Sequence, residues 1–370
     1  MNQAPHHYPR RVLLCVAGLT PQVVTETLYA LAVRQKPPFI PTEVHVITTS
    51  EGASRIRLAL LSETKRWFRR LLEDYGLPEI TFTADHIHVV KDGSGKPLDD
   101  IRTPEDNAFV ADFITEKVRE LTSDENAALH VSLAGGRKTM SYYMGYALSL
   151  FGREQDRLSH VLVSAPYETN PEFYYPTPYE FLITTRENKL IDAREAEVIL
   201  AEIPFVRMRE WLPKSLLEHP APFRKVVEAA ERAKLPPRLR IDLKARRAWA
   251  YDVELDLTDT QFLFLVWLAK AGEEGRSYCD PEDARAFVDL AYEMFGEMSA
   301  RTEEIERSVA GWQGDPQGLK DYFQPHASRL KRALKEALGE KLAERFCPVS
   351  VGKRNALRHR LPPSVEVVWR

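Results

Sequence analysis

The feature that most restricts the fold is an alternation, in the first half of the chain, of short apolar segments with stretches of helical spacing. After its arginine, the segment RVLLCVA is apolar throughout, which is typical of a parallel strand buried on both faces. The stretch that follows has Val23, Thr27 and Leu31 at helical spacing. The predicted strands are 11–17, 43–49, 86–90, 128–133 and 160–165. Strands joined by helices form right-handed βαβ units, so we predict an α/β fold with a Rossmann-like, doubly wound parallel sheet.

Two of the predicted helices have recognisable ends. A long helix through 56–71 is expected to stop at Gly76. A second helix opens at Thr103-Pro104-Glu105, where a capping residue precedes proline at the first helical position.

The pattern changes after residue 190. Helical stretches between prolines come first, and we predict that they form a helical connector. Two short strands, an apolar helix capped by Thr258, a basic helix and a terminal hairpin then follow. This order is typical of a winged helix, so we predict a smaller α+β winged-helix-like domain. The predicted ranges are 1–190 for the first domain, 191–238 for the connector and 239–370 for the last domain.

Composition limits the partners and the compartment. The net charge of the chain is only −3, so a nucleic-acid site would have to be local. No apolar run approaches the roughly 20 residues that span a bilayer, and the N-terminus lacks the apolar core of a signal peptide. Three widely separated cysteines form no CxxC pair. We therefore expect a cytoplasmic protein with no membrane partner.

Two strand-to-helix junctions have the composition of an anion site. One is GLTPQ, and the other is the GGRKT of HVSLAGGRKTM. In a parallel sheet, ligands bind beyond the carboxyl ends of the strands, where new helices present free N–H groups and a positive dipole end. Glycines admit a ligand close to the backbone, and the two cations add charge. The predicted ligand contacts here are Gly18, Leu19, Pro21, Gln22, Gly135, Gly136, Arg137 and Thr139. The alternative is a tight turn with solvated cations.

The common nucleotide signatures are absent. Arg137 separates Gly136 from Lys138, which breaks the phosphate-loop pattern G-x-x-x-x-G-K-[ST]. Gly18 has no second glycine two residues later, as the dinucleotide fingerprint requires. Nucleoside triphosphate and NAD chemistry are therefore disfavoured.

Four segments resemble one family, in order and spacing. LCVAGLTPQVVTETLYAL, DIRTPEDNAFVADFI, VSLAGGRKTMSYYMGYAL and HVLVSAPYETNPEFYYPT are similar to the CRISPR-associated Rossmann-fold (CARF) proteins, specifically their ring-nuclease branch. The resemblance covers roughly 10–185. It implies a homodimer that binds cyclic oligoadenylate, the second messenger of type III CRISPR systems, and cleaves that ring to end the signal.

The resemblance also implies roles for individual residues. The ribose 2′-OH of the ring would be the nucleophile, which requires no metal, and we expect neither a metal nor a cofactor. Lys138 would stabilise the developing charge, while Ser132 and Thr20 would position the sugar or a phosphate oxygen. Tyr167 and Tyr174 would border the adenines. The alternatives are a structural role for Ser132 at a strand end and packing roles for the tyrosines.

His86 and His88 share one face of a predicted strand. They form a potential metal pair, but the sequence shows no third ligand nearby. We therefore interpret them as structural histidines.

The C-terminal region suggests a second class of function. From Lys320 to Arg370 there are twelve Lys or Arg and five Asp or Glu. Such local basic charge is typical of a DNA-binding module. The predicted DNA contacts are Arg329, Arg332, Lys353 and Arg354. The protein would then be a ligand-controlled DNA-binding regulator, unless the winged helix serves only packing or dimerisation.

Overall fold

The computed structural model describes residues 3–312, 314–353 and 357–370. The chain divides into two compact units, Met1–Arg209 with Pro220–Val226 and Glu210–His219 with Val227–Arg370. No helix among the described residues is long and apolar enough to cross a membrane. The three domain ranges given above stay a prediction.

The first unit is built on a six-stranded sheet. The strands of this unit are β1 (Arg10–Val16), β2 (Glu43–Thr48), β3 (Ile87–Val89), β4 (Ala127–Ser132), β5 (Arg157–Val163), β6 (Leu182–Thr184), β7 (Leu190–Asp192) and β8 (Val198–Glu202). The sheet order is β3-β2-β1-β4-β5-β8, and β6 pairs with β7 in a separate hairpin. The first five strands of the sheet are parallel, and β8 runs antiparallel to β5.

Helices flank this sheet. They are α1 (Gln22–Tyr29), α2 (Ser50–Ile56), α3 (Trp67–Tyr75), α4 (Pro104–Leu121) and α5 (Lys138–Phe151). Helix α4 packs on α5, and α1 packs on α3. The predicted start of α4 is confirmed, because the hydroxyl of Thr103 accepts a hydrogen bond from Asp106 N and the carboxylate of Asp106 accepts one from Thr103 N. The predicted doubly wound, mostly parallel sheet is likewise confirmed.

Two helix predictions were wrong. The expected helix through 56–71 is interrupted between Leu61 and Trp67, where Arg66 has a left-handed backbone with φ of 37°. The segment EVILAEI, predicted as helix within the 191–238 connector, contains β8. Its β-branched and apolar residues pair with β5, which outweighs the helical preference of its alanine and glutamates.

The turn between α5 and β5 is fixed by a buried ion pair. Asp156 is 0% exposed and accepts hydrogen bonds from Leu129 N, from Arg153 N and from the Arg153 guanidinium. Because Leu129 belongs to β4, this carboxylate ties the turn to the neighbouring strand. The position of β4 therefore depends on a polar contact within the unit.

The second unit combines helices with short strands. Its strands are β9 (Arg238–Asp242), β10 (Arg247–Ala250), β11 (Val253–Glu254), β12 (Val349–Val351), β13 (Arg358–Arg360) and β14 (Glu366–Trp369). The remaining helices of the chain are α6 (Lys214–Glu218), α7 (Phe223–Glu231), α8 (Asp259–Lys270), α9 (Pro281–Phe295), α10 (Ala300–Ala310), α11 (Pro316–Leu338) and α12 (Glu340–Glu344). The four-stranded sheet has the order β11-β10-β9-β14. Its core centres on α8, where Phe264 and Trp267 are fully buried.

Several local predictions for this unit are confirmed. Thr258 caps α8 and forms a capping box with Gln261. The terminal hairpin is present as β12 and β13. Helices α9 and α10 lie in the chain between α8 and the basic helix, so the unit is more helical than a compact winged helix. The winged-helix assignment stays a prediction.

Candidate functional site

The two glycine loops meet at one edge of the first sheet. Strands β1 and β4 are parallel neighbours, with Cys15 opposite Ser132, so both loops leave from adjacent carboxyl ends. A Cβ built on Gly18 would lie 3.4 Å from Gly136 Cα, which places the two backbones in contact. After β1 the chain forms β2 and β3 on one side of β1, and it later forms β4 on the other side of β1. The loops therefore lie at the topological switch point, where open α/β sheets bind ligands.

Glycine is required at the second loop. Gly135 has φ of +154°, and a Cβ there would lie 2.6 Å from Val16 O. Gly136 has φ of +69°, in the left-handed region. A side chain at either position would push the loop away from β1.

The start of α5 has exposed groups that could bind an anion. Its N-cap residue Arg137 provides no side-chain cap, so the amides of Lys138 and Thr139 lack an intrahelical acceptor. The side chains of all three residues are exposed. Lys138 forms no ion pair within the described part of the chain. An anion at this helix start would meet free N–H groups, the helix dipole and a mobile ammonium group.

Two residues of the first glycine loop are exposed to solvent. Leu19 is 49% exposed, and Thr20 is also exposed. Pro21 and Gln22 are buried, and Gln22 Nε2 donates to Pro171 O at 2.9 Å. The structure thus brings Gly18 against the second loop, with Leu19 and Thr20 following it in the chain, while Gln22 holds the segment around Pro171.

Three of the predicted site residues lie in the core of the unit. The hydroxyl of Ser132, 1% exposed, shares a hydrogen bond of 3.1 Å with Thr27 Oγ1. Tyr167 OH donates to Asp192 O at 2.9 Å. The ring of Tyr174 stacks on Trp67 with 4.7 Å between centroids. In this structure Ser132 is hydrogen-bonded within the core and the two tyrosines contact buried neighbours, so the proposed contacts below do not include these three residues.

Sequence reasoning missed a third junction at the same edge, between β2 and α2. A Cβ on Gly52 would lie 2.7 Å from Gly18 O, so the first turn of α2 touches the first glycine loop. Thr49 caps α2 by accepting from Gly52 N, and Thr48 Oγ1 is buried without a hydrogen-bond partner among the described residues. The signal was present in the sequence, since TTSEG also places a capping threonine at the end of a predicted strand.

A buried carboxyl group on α1 also escaped the sequence analysis. Glu26 is buried one turn after Gln22, and burial together with the charge of Glu168 raises the pKa of Glu26 to about 8. The carboxyl is therefore protonated over most of the neutral range. No spacing rule in the sequence distinguishes it from an exposed helical glutamate.

Arg137 already has an anionic partner. Its Nε donates to Asp100 Oδ1 at 3.1 Å, and its Nη2 donates to Asp100 Oδ2. This guanidinium lowers the pKa of Asp100, so the carboxylate is charged at neutral pH. An incoming phosphate must compete with Asp100 for the guanidinium.

Removing that competitor should strengthen anion binding. We expect Asp100→Asn to bind an anionic phosphodiester ligand about two- to fivefold more tightly, because an exposed ion pair is worth at most about 1 kcal/mol. Isothermal titration calorimetry at two salt concentrations would measure the change. Glu105→Gln, which removes a charge from the exposed first turn of α4 outside this ion pair, is the matched control. Equal or weaker binding by Asp100→Asn would show that Arg137 does not contact the ligand.

A solved structure of Enterococcus italicus Csm6 bound to cyclic hexa-2′-fluoro-hexa-dAMP is similar over 88% of this chain and 61% of that one, with 11% identity and a TM-score of 0.23. The chain thus spans about three fifths of the length of that protein, and a TM-score this low supports no functional argument. No curated protein matches the sequence.

A family model gives the clearer assignment. The model described as CRISPR-associated protein NE0113 matches residues 20–236, which include the second glycine loop, all of α5 and the part of the first loop from Thr20 onwards. The match extends over more than half of the chain. The protein is therefore a member of the CRISPR-associated protein NE0113 family.

Proposed function

We propose that this protein is an ancillary protein of a type III CRISPR system that binds cyclic tetra-adenylate and cleaves it, thereby ending the antiviral signal. The observation that carries the proposal is the meeting of two glycine loops at the switch point of the sheet, beside the uncapped start of α5 with its exposed Lys138. Membership of a CRISPR-associated family supports the assignment to a CRISPR system.

The charge of the ligand fits this edge of the sheet. Each phosphodiester carries one negative charge, and the amides of Lys138 and Thr139 can donate to its oxygens. Lys138 supplies a charge-assisted contact, and Arg137 supplies another once it leaves Asp100. Gly18 and Gly136 carry no side chain that would keep a ligand away from this part of the backbone.

The symmetry of the ligand favours two copies of the chain. A ring of four identical nucleotides can be centred on a two-fold axis, and a homodimer would present two copies of each loop around that axis. One ring per two chains is the stoichiometry of this proposal. The dimer would place four cationic side chains, Arg137 and Lys138 from each copy, around four phosphates.

The proposed reaction is an internal transesterification. The ribose 2′-oxygen attacks the adjacent phosphorus and loses its proton, the bond from phosphorus to the 5′-oxygen breaks, and that oxygen is protonated as it leaves. Lys138 stabilises the charge that develops on the phosphoryl oxygens, and Thr20 orients the ribose. Holding the 2′-oxygen in line with the leaving group supplies the remaining acceleration.

The products provide the test of this proposal. We expect purified protein in EDTA to convert cyclic tetra-adenylate into linear products with a 2′,3′-cyclic phosphate and a 5′-hydroxyl, because the nucleophile is part of the substrate. Chromatography with mass spectrometry identifies these ends, and cyclic tri- and hexa-adenylate serve as ring-size controls. A strict requirement for added metal, or products with a free 3′-OH, would contradict the mechanism. Failure to bind any cyclic oligoadenylate would refute the whole proposal.

A ligand-responsive DNA-binding regulator is the second candidate function. Arg329 and Arg332 are exposed on α11 and form no ion pair with any residue in the described ranges. Lys353 follows β12 in the terminal hairpin, while Arg354 lies outside the described residues. The same assay separates the candidates, because a regulator of this kind would bind the ring and leave it intact.

A further inference from the structure

A cluster of histidines lies at the opposite edge of the first sheet from the glycine loops. Glu43 and His45 are at the amino end of β2, and His86 directly precedes β3. Strands β2 and β3 are parallel, with Val46 opposite Ile87, so the preceding residues His45 and His86 are neighbours. Their ring centroids are 4.8 Å apart.

One nitrogen of His45 faces the carboxylate of Glu43 beyond the usual hydrogen-bond geometry. His45 Nδ1 lies 2.8 Å from His88 Nε2 in a hydrogen bond, which occupies one side of the His45 ring. The other nitrogen, Nε2, is buried, makes no hydrogen bond to a described residue, and lies 3.4 Å from Glu43 Oε1. When Nδ1 is the donor, Nε2 presents a lone pair towards the carboxylate. In that tautomer, His45 Nε2 and Glu43 Oε1 are both acceptors, and they repel each other at this distance unless a cation lies between them.

The surrounding side chains orient the cluster. Glu43 Oε1 accepts from Arg10 Nε and Nη2 at 2.8 and 2.6 Å. His86 Nδ1 accepts from Thr83 N at 3.4 Å and lies 2.9 Å from Thr83 Oγ1, so these two contacts hold the His86 ring in place. Such outer contacts are what fix the rings and carboxylates of metal sites.

The local charge also suits a cation. Two cationic groups, Arg10 and Lys117, act on this cluster, against three anionic groups, Glu43, Asp124 and Glu120. Imidazole binds a metal ion through the lone pair of a neutral ring.

We propose that Glu43, His45 and His86 bind a divalent transition-metal ion, with Zn²⁺ as the ion that fits best. One ligand atom from each residue lies within 4.8 Å of the other two. Two imidazole nitrogens and one carboxylate oxygen form a known three-residue ligand set for Zn²⁺, with water completing the coordination. The site joins β1, β2 and the segment before β3, so its role is to stabilise this edge of the sheet.

This inference revises the expectation of no metal and does not depend on the proposed ring cleavage. The sequence suggested only His86 and His88 as a pair. The structure assigns His88 to a supporting position, where it bonds His45 Nδ1, and supplies the missing ligands from β2.

The test uses the full-length protein after removal of metals. Because His6 and His7 are adjacent and could bind metal independently, both are changed to alanine in the background protein. Calorimetric titration with Zn²⁺ should show one saturable site per chain and a higher melting temperature. We expect His88→Ala to weaken binding by about 10- to 100-fold. His45→Ala and His86→Ala, which remove direct ligands, should weaken it more.

The control is His160→Ala, a half-buried histidine on β5 of the same sheet, which should bind Zn²⁺ like the background protein. Circular dichroism verifies that each variant is folded. If the direct-ligand variants fail to fold, X-ray absorption of the Zn²⁺-loaded background protein should show two imidazole ligands. Absence of saturable Zn²⁺ binding, binding unchanged in both His45→Ala and His86→Ala, or a spectrum without imidazole would each overturn the proposal.

Discussion

Replacing Lys138 by alanine should lower the rate constant for ring cleavage by about 10²–10³-fold, as the loss of an oxyanion donor does in other enzymes. In the proposed reaction, the ammonium group of Lys138 meets one negative charge in the bound ring and more charge in the transition state. Affinity should also fall, because a charge-assisted hydrogen bond is worth about 1.5–3 kcal/mol. Single-turnover cleavage measures the rate constant, and calorimetry measures the affinity.

The matched control is Lys36→Ala. Lys36 is also exposed and follows the helical segment Ala30–Arg34, before β2, at the other end of the sheet. This variant should bind and cleave like the unchanged protein. Should Lys138→Ala retain both full affinity and full rate, the loop is a structural turn and the site assignment fails.

Replacing Asp156 by alanine should lower the free energy of unfolding by about 3–5 kcal/mol, the cost of breaking a buried ion pair by removing one partner. The guanidinium of Arg153 would stay buried without its carboxylate, and Leu129 N would lose its acceptor. Urea unfolding followed by circular dichroism measures the loss. Asp85→Ala, at an exposed position, should change stability by less than about 0.5 kcal/mol.

A double variant gives a sharper test of the same contact. Arg153→Met combined with Asp156→Leu removes both charges and keeps apolar volume, so it should lose less stability than Asp156→Ala alone. A loss in the double variant equal to the sum of the single losses would show that the two residues act independently.

The sequence predicted those parts of the fold that depend on local pattern. Strand β1 was expected at 11–17 and is found at Arg10–Val16, because a strand buried on both faces needs a continuous apolar run. The glycine loops were likewise recognisable, because close backbone approach requires glycine whatever the neighbouring fold. Thr103 and Thr258 identified helix starts because capping acts within a few residues.

Contacts between segments that are far apart in the chain could not be predicted from local sequence pattern. Strand β8 depends on pairing with β5, more than thirty residues earlier in the chain, and nothing in EVILAEI alone specifies that pairing. The burial of Ser132 could not be read from strand alternation, because a parallel sheet covered on both faces has no solvent-facing side. The contact of His45 with His86 required the register of β2 on β3.

The contact between Gly18 and Gly136 has a consequence for any attempt to redesign ligand preference. Because these loops touch through main-chain atoms, the contact between Gly18 and Gly136 has no side chains to exchange. Laboratory evolution of this protein towards a different ligand would have to vary exposed neighbours instead, at Leu19, Thr20 and Thr139. Libraries that also randomise Gly135 would consist largely of chains whose loop no longer fits against Val16 O.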